Sequence, residues 1–520
     1  MAASKSRARK SSFAARRRSR CMATMSTSTR RADMAALPDF PSLRFRNDTD
    51  FDALHFDTLD QHDVPFHVIA AKTGYTLGPC GSDGLATLVP LDSPAPLHQQ
   101  DRHYDDDVDC SVRAESDLAP YKPRCDVIVV GDACAPGGRA AASFPVALRV
   151  QYPDQPLPAP EPPRPLNPFQ PVSPAAQQRW RAQAEQAARQ VVPGRRLIDK
   201  VLQVTGSRQL RRRTKALGLL RPATLGAIGS SPWKLTQPAP ALRVPVRYEV
   251  AQGGQVIVEG NSAAAERVPQ RWRLSAAQQA QYGHMEVAPA AHDACQANPA
   301  GRGFAPAWYL DAANPASLPA PQVGYPGAPF TADLFWAACR GKAGLTPAGF
   351  GFVGRAWLPR RELAGTVDGN AAWDADDVPR LPPDFDFAYW NGAPADQQCD
   401  HLTGKERFTL VNMLPHDAPS VRIDGDGNSV LAFTLPAQAL FALAAGEDGA
   451  VAAMPLAIDT VLIDTLAGTV ELTWRLCLVA DGRFADARLL HAHTPEQLDR
   501  LALWNEPADT AGDTQPAVPA

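Results

Sequence analysis

The chain has 520 residues, with 52 Lys or Arg against 55 Asp or Glu, a formal net charge of −3. Hydrophobic residues make up 45%, enough to bury a core, and the length allows about two to four ordinary domains or one large one. The 50 prolines are roughly twice the usual share and exclude a helical bundle, because proline brings no amide proton to a helix interior or a central strand.

Residues 1–36 read as a basic tail. Up to Met34 it carries ten Lys or Arg against Asp33 alone, which leaves 42 basic and 54 acidic residues elsewhere, a net of −12. An acidic body repels nucleic acid, whose binding rests on phosphate neutralisation, and suits a partner with a basic surface. No apolar stretch follows Arg16-Arg17-Arg18, so the tail is not read as an export signal. It is expected to be disordered, or to reflect a start placed too early, with Met22, Met25 and Met34 as alternatives. No stretch reaches the ~18–20 apolar residues of a membrane span. The nine cysteines form no C-x-x-C pair and read as reduced, mostly buried thiols of a cytoplasmic protein.

Residues 67–77 and 85–89 are β-branched and aromatic runs around a Gly-rich turn, which predicts a hairpin. Residues 125–130 are an apolar run of strand length, and 142–150 run back at period two after the turn at Ala135-Pro136-Gly137-Gly138. Pro145 inside that second run predicts an edge position. Prolines crowd 152–172 into an extended linker, and Ser173-Pro174 then opens a helix over 175–192, Ser as N-cap and Pro at the first turn. Residues 195–221 are basic and lack aromatics, which reads as a solvated face or a contact patch for an acidic partner. Strands follow at 243–250, then a loop-rich region over 283–400 pinned by aromatic side chains, then strands at 408–414, 420–423, 430–435, 457–463 and 469–478. Gly425-Asp426-Gly427-Asn428 and residues 464–468 are turn signals. A short helix over 494–504 precedes a disordered end.

Catalytic motifs fail on context. Gly349-Phe350-Gly351-Phe352-Val353-Gly354 matches G-x-G-x-x-G but does not lie between a strand and a helix. Asp424 to Asn428 resembles the start of a calcium loop, yet Ser429 stands where glycine is needed and Leu435 where glutamate is. The acidic loop 101–109 reads as solvated, and His284, His292 and Cys295 lack a fourth ligand at finger spacing. No nucleophile elbow and no H-E-x-x-H is present. No catalytic residue, metal ligand or cofactor is expected.

Several segments in order carry a resemblance: 117–131 with Asp117, Tyr121 and Lys122, then Arg243 to Glu249, Asn298 to Phe304 around Arg302, and Pro347 to Gly351 with Phe350. Leu381 to Asp386 with Asp384 and Phe385, Asn391 to Gln398 with Asp396 and Gln397, and Asp459 to Thr465 complete it. Together they resemble the bacterial family DUF2169 over roughly 37–480. The match implies a family domain split into 37–151 and 195–480, with 152–194 as an inserted linker and helix and 481–520 as a terminal helix and tail.

The resemblance implies a type VI secretion accessory protein. Its expected role is an adaptor or chaperone that binds a PAAR-domain effector and helps load it onto the VgrG spike. The expected partner-binding residues are Asp117, Tyr121, Lys122, Arg302, Phe350, Asp384, Phe385, Asn391, Asp396 and Gln397. For Lys122 and Arg302 the alternative is a loop-anchoring pair with Asp384, Asp386 or Asp396. Two rival functions stay open: a hydrolase or metal-dependent enzyme using the 101–109 loop or His401 beside Asp400, and a structural component of the secretion machine. The expected fold is mainly β, antiparallel and sandwich-like, with long Pro/Gly-rich loops and a few peripheral helices; the oligomeric state is left open.

Overall fold

Cys125–Val130 alternates between two buried faces, and its position explains the architecture. In the computed structural model it lies deep in a seven-stranded sheet. The order is Asp52–Leu59, Pro65–Cys80, Thr469–Val479, Ala457–Asp464, Cys125–Val130, Gln398–Cys399, with Ala86–Pro90 on the far part of Pro65–Cys80. Neighbours are antiparallel except Cys125–Val130 beside Ala457–Asp464, which run parallel. The described residues are 40–106, 111–157, 160–164, 172–188, 190–213, 231–247, 258–259, 266, 285–287, 310, 315–355, 358–367, 371–372 and 381–492. All of them fall in one unit, Phe40–Ala520.

A second sheet has the order Val323–Gly324, Arg196–Thr205, Ser143–Gln151, Arg407–Val411, Ser429–Thr434, Val421–Ile423, every pair antiparallel. The two sheets share one core. Val127 and Val129 from the first meet Phe144, Val146, Leu148, Phe408, Leu410, Leu431 and Phe433 from the second. Phe408 and Phe433 stack with ring centroids 5.1 Å apart; burying each such side chain contributes about 1.5–3 kcal/mol. A third sheet of Arg44–Asn47, Asp486–Ala492, Ala439–Ala445 and Val451–Pro455 adds Leu440, Ala442, Ala487 and Leu489 to the same core. The expected mainly-β, sandwich-like fold is what forms.

Several local expectations change. Cys125–Val130 and Ser143–Gln151 do not pair as a hairpin but enter opposite sheets. A run that is apolar on both faces needs neighbours on both sides, and distant Ala457–Asp464 supplies one. Pro145 sits in an interior strand, not at an edge; Arg407–Val411 ends opposite Ala147, short of the proline. The helix Pro174–Ala188 starts where Ser173 predicts, with Ser173 Oγ accepting from the Ala176 amide, and stops before 192. Gln155–Pro156 pairs with Val191–Val192, so this segment is an excursion between the adjacent strands Ser143–Gln151 and Arg196–Thr205. The helix expected over 494–504 lies outside the described residues.

Candidate functional site

The face of the seven-stranded sheet turned away from the shared core carries charge. Lys72, Asp126 and Arg475 project there from apolar strands, each at most one-twentieth exposed. A β-bulge adds to them. The register of Ala457–Asp464 against Thr469–Val479 slips between Ile458 and Thr460. With Ile458 and Val461 in the core, Asp459 and Thr460 are both free to join the polar face.

Two chain segments cross this face. The first is 115–124. Glu115 is held by Arg360, whose Nη2 is 2.9 Å from Oε2. Asp117 Oδ2 accepts from Lys72 Nζ and from the His98 amide at 2.7 Å, and its Oδ1 from Thr473 at 3.0 Å. Lys122 Nζ donates to Asp126 Oδ2 and Thr460 Oγ1, both at 2.9 Å. Burial pushes the Glu115 carboxyl up, but Arg360 and Arg355 more than offset it and hold it below the ordinary value. Asp117 is likewise pushed up by burial and brought below its ordinary value by Lys72 and the His98 amide. Burial lowers Lys122, and Asp126, Asp459 and Glu115 reverse this to a net rise.

The second segment is 381–397. Asn391 Nδ2, the Gly392 amide and the Ala393 amide all donate to the Asp126 carboxylate, at 3.0, 2.8 and 3.2 Å. Gln397 donates to the carbonyls of Val127 and Phe350 at 2.7 and 2.8 Å. Its Oε1 accepts from Lys200, which also donates to Asp396 at 2.8 Å. Burial lowers Lys200 to about 8 against the pull of Asp396. Phe385, Tyr389 and Trp390 fill the space beneath with Ala119 and Ala364.

The inward residues nail both segments down, and the residues between them face out. Leu118 is 37% and Tyr121 43% exposed. They help line two open grooves that share Thr58 and Pro120, of about 610 and 330 Å3. The larger has apolar Phe56, Leu118, Leu381 and Trp390 facing polar Gln99, Asp101, Ser116 and Arg355. The smaller runs over Phe66, Val68 and Cys477, flanked by Tyr121 and Phe387, whose rings meet edge-on at 5.9 Å. The floor strand Asp52–Leu59 is the end strand of its sheet.

The structure thus gathers most of the expected partner-binding residues but turns many inward. The side chains of Asp117, Lys122, Phe350, Phe385, Asn391 and Gln397 are buried. Tyr121, Asp384 and Asp396 are exposed; Asp384 accepts from the Thr366 amide and Asp396 holds Lys200 and Tyr325. Lys122 does anchor a loop, but its carboxylate is Asp126 and none of the three acids expected. Arg302, His284, His292 and Cys295 lie outside the described residues. His401 Nε2 sits 2.9 Å from the Lys122 carbonyl, and Asp400 lies 3.7 Å from Arg124. Reading the sequence missed Glu115, Asp126, Arg360, Arg475 and Lys72. The signal was there for three of them: a charge inside an apolar strand is almost never buried unpaired.

Fold and site define a large β protein with an apolar groove laid over an internally paired layer of charge. The chain belongs to the family DUF2169, described as an uncharacterized protein conserved in bacteria, whose model matches residues 62–475. No curated protein matches the chain. No solved structure matches it either. No helix among the described residues is long and apolar enough to cross a membrane.

Proposed function

We propose that this protein is an adaptor that holds another polypeptide in the double groove, and that the partner is a PAAR-type effector carried to the VgrG spike of a type VI secretion system. The observation that carries the first step is the division of labour at the site. Its buried ionisable groups are engaged with one another, while the open surface above them is aromatic and aliphatic with a polar rim. Such a surface suits side chains of a polypeptide, and the end strand below can offer its backbone to an added strand. The second step rests on the order of family segments along the chain, and the acidic body fits a basic partner. Loading before export places the adaptor in the cytoplasm.

Affinity capture with a PAAR effector encoded beside this gene tests the reading. A stoichiometric complex, and loss of effector secretion in a deletion strain, are the expected results. No association together with unchanged secretion would end the proposal. Fractionation separates an adaptor, which stays in the cell, from a structural part of the machine, which leaves with the spike.

A further inference from the structure

His55 and Asp57 stand two residues apart on Asp52–Leu59, so their side chains leave the same face. Asp57 lies directly opposite His67 in the antiparallel register with Pro65–Cys80, where facing Cβ atoms are about 4.5–5.5 Å apart. Strand geometry alone therefore makes the three side chains converge. His67 Nδ1 is 2.7 Å from Asp57 Oδ1 and 3.3 Å from His55 Nε2. His55 Nε2 is 3.2 Å from the same Oδ1. Each donor atom touches both others.

We propose that this triangle binds one borderline divalent transition ion, with Zn2+ as its type, through His55 Nε2, Asp57 Oδ1 and His67 Nδ1. Tetrahedral zinc at about 2.0–2.2 Å from its ligands spaces them about 3.3 Å apart. Two of the three separations already match. The third opens by a small rotation of the Asp57 carboxylate, which is 40% exposed. Two imidazoles and one carboxylate favour zinc-like ions over magnesium or calcium, which prefer all-oxygen sites. Three protein ligands leave a fourth position for water.

The atoms that hydrogen bonds bring together here are also the atoms an ion would use. A neutral imidazole brings one N–H, and here two ring nitrogens face each other beside one oxygen. With both ring nitrogens protonated, Asp57 Oδ1 accepts two N–H bonds, as Asp117 Oδ2 does from Lys72 and the His98 amide; with one bare, its lone pair faces the carboxylate. A cation at the centre attracts all three atoms at once. His67 is buried and its Nε2 has no hydrogen-bond partner among the described residues; ligation through Nδ1 puts the ring proton on that Nε2 without an acceptor, which weakens the site relative to one whose outer ring nitrogen has a partner. The inference is independent of the adaptor reading.

The test uses the full chain, stripped by chelation and titrated with Co2+ and then Zn2+. One equivalent of Co2+ with the visible absorption of a low-coordinate site, displaced by Zn2+, is expected. Zn2+ should also raise Tm, since an ion that binds only the folded state stabilises it. His55→Ala and Asp57→Ala, at partly exposed positions, should each weaken Zn2+ binding by at least ~10-fold and remove the rise in Tm. His62→Ala, on an exposed turn residue, should bind as the wild type. Absent binding in the wild type, or unchanged affinity in the two ligand variants, overturns the inference. If His55→Ala fails to fold, Asp57→Ala alone decides.

Discussion

Lys122 Nζ lies 2.9 Å from Asp126 Oδ2, with both side chains withdrawn from solvent. The lysine belongs to a segment crossing the sheet and the aspartate to the strand beneath it. With the Asp117 contacts to Lys72 and Thr473, this contact ties the outer cover to the fold, and the same carboxylate also receives the second cover segment through Asn391, Gly392 and Ala393.

Removing one partner of a buried ion pair leaves the other uncompensated, at a cost of about 3–5 kcal/mol. Asp126→Ala is therefore expected to lower stability by about that amount, read from urea unfolding. The double variant Lys122→Met/Asp126→Leu should recover only the share due to the unpaired lysine, because the Asn391, Gly392 and Ala393 donors still lose their acceptor. A single variant as stable as the wild type would show that the pair does not hold the cover.

Acid should loosen the same layer. The folded-state values of Glu115 and Asp117 lie below their ordinary 4.5 and 3.8. A depressed carboxyl contributes stability that is present above the unfolded value and is lost as pH falls through the folded one. Urea midpoints are expected to drop as pH goes below about 4.5, and Glu115→Gln should flatten that limb while lowering the plateau. An equally steep limb in the variant would remove Glu115 from this account.

Lys200 works in the opposite direction. Its folded value of about 8 lies below the ordinary 10.5. Between those values the unfolded chain binds more protons, so this group makes stability rise with pH across that window. Lys200→Met should lack the rise, so wild type and variant, followed by urea unfolding from neutral pH upward, should diverge. Parallel curves would mean that Lys200 keeps its ordinary value.

Tyr121 is the surface test. Its ring is partly exposed and touches Phe387, outside the buried charge layer. Tyr121→Glu should leave stability within about 1 kcal/mol of the wild type. Effector binding, measured calorimetrically, should weaken by about 2 kcal/mol or more, as for a central aromatic anchor. Unchanged affinity would move the contact surface away from the groove.

The β character, the hairpin of Pro65–Cys80 with Ala86–Pro90, the turn at Gly427, whose φ is 82°, and the start of the helix at Pro174 are all legible along the chain. These depend on alternation, on turn residues and on capping, all local in the chain. Ala439–Ala445 was not legible, because an alanine-rich run has little strand propensity of its own and becomes a strand only between Val451–Pro455 and Asp486–Ala492. The folded chain is what pairs Cys125–Val130 with a strand more than 300 residues later, sets Asp126 against Lys122, and brings His67 to His55 and Asp57. Charge pairing in a buried layer depends on which strands become neighbours. That choice is made by burying apolar faces across the whole chain, and no local pattern records it.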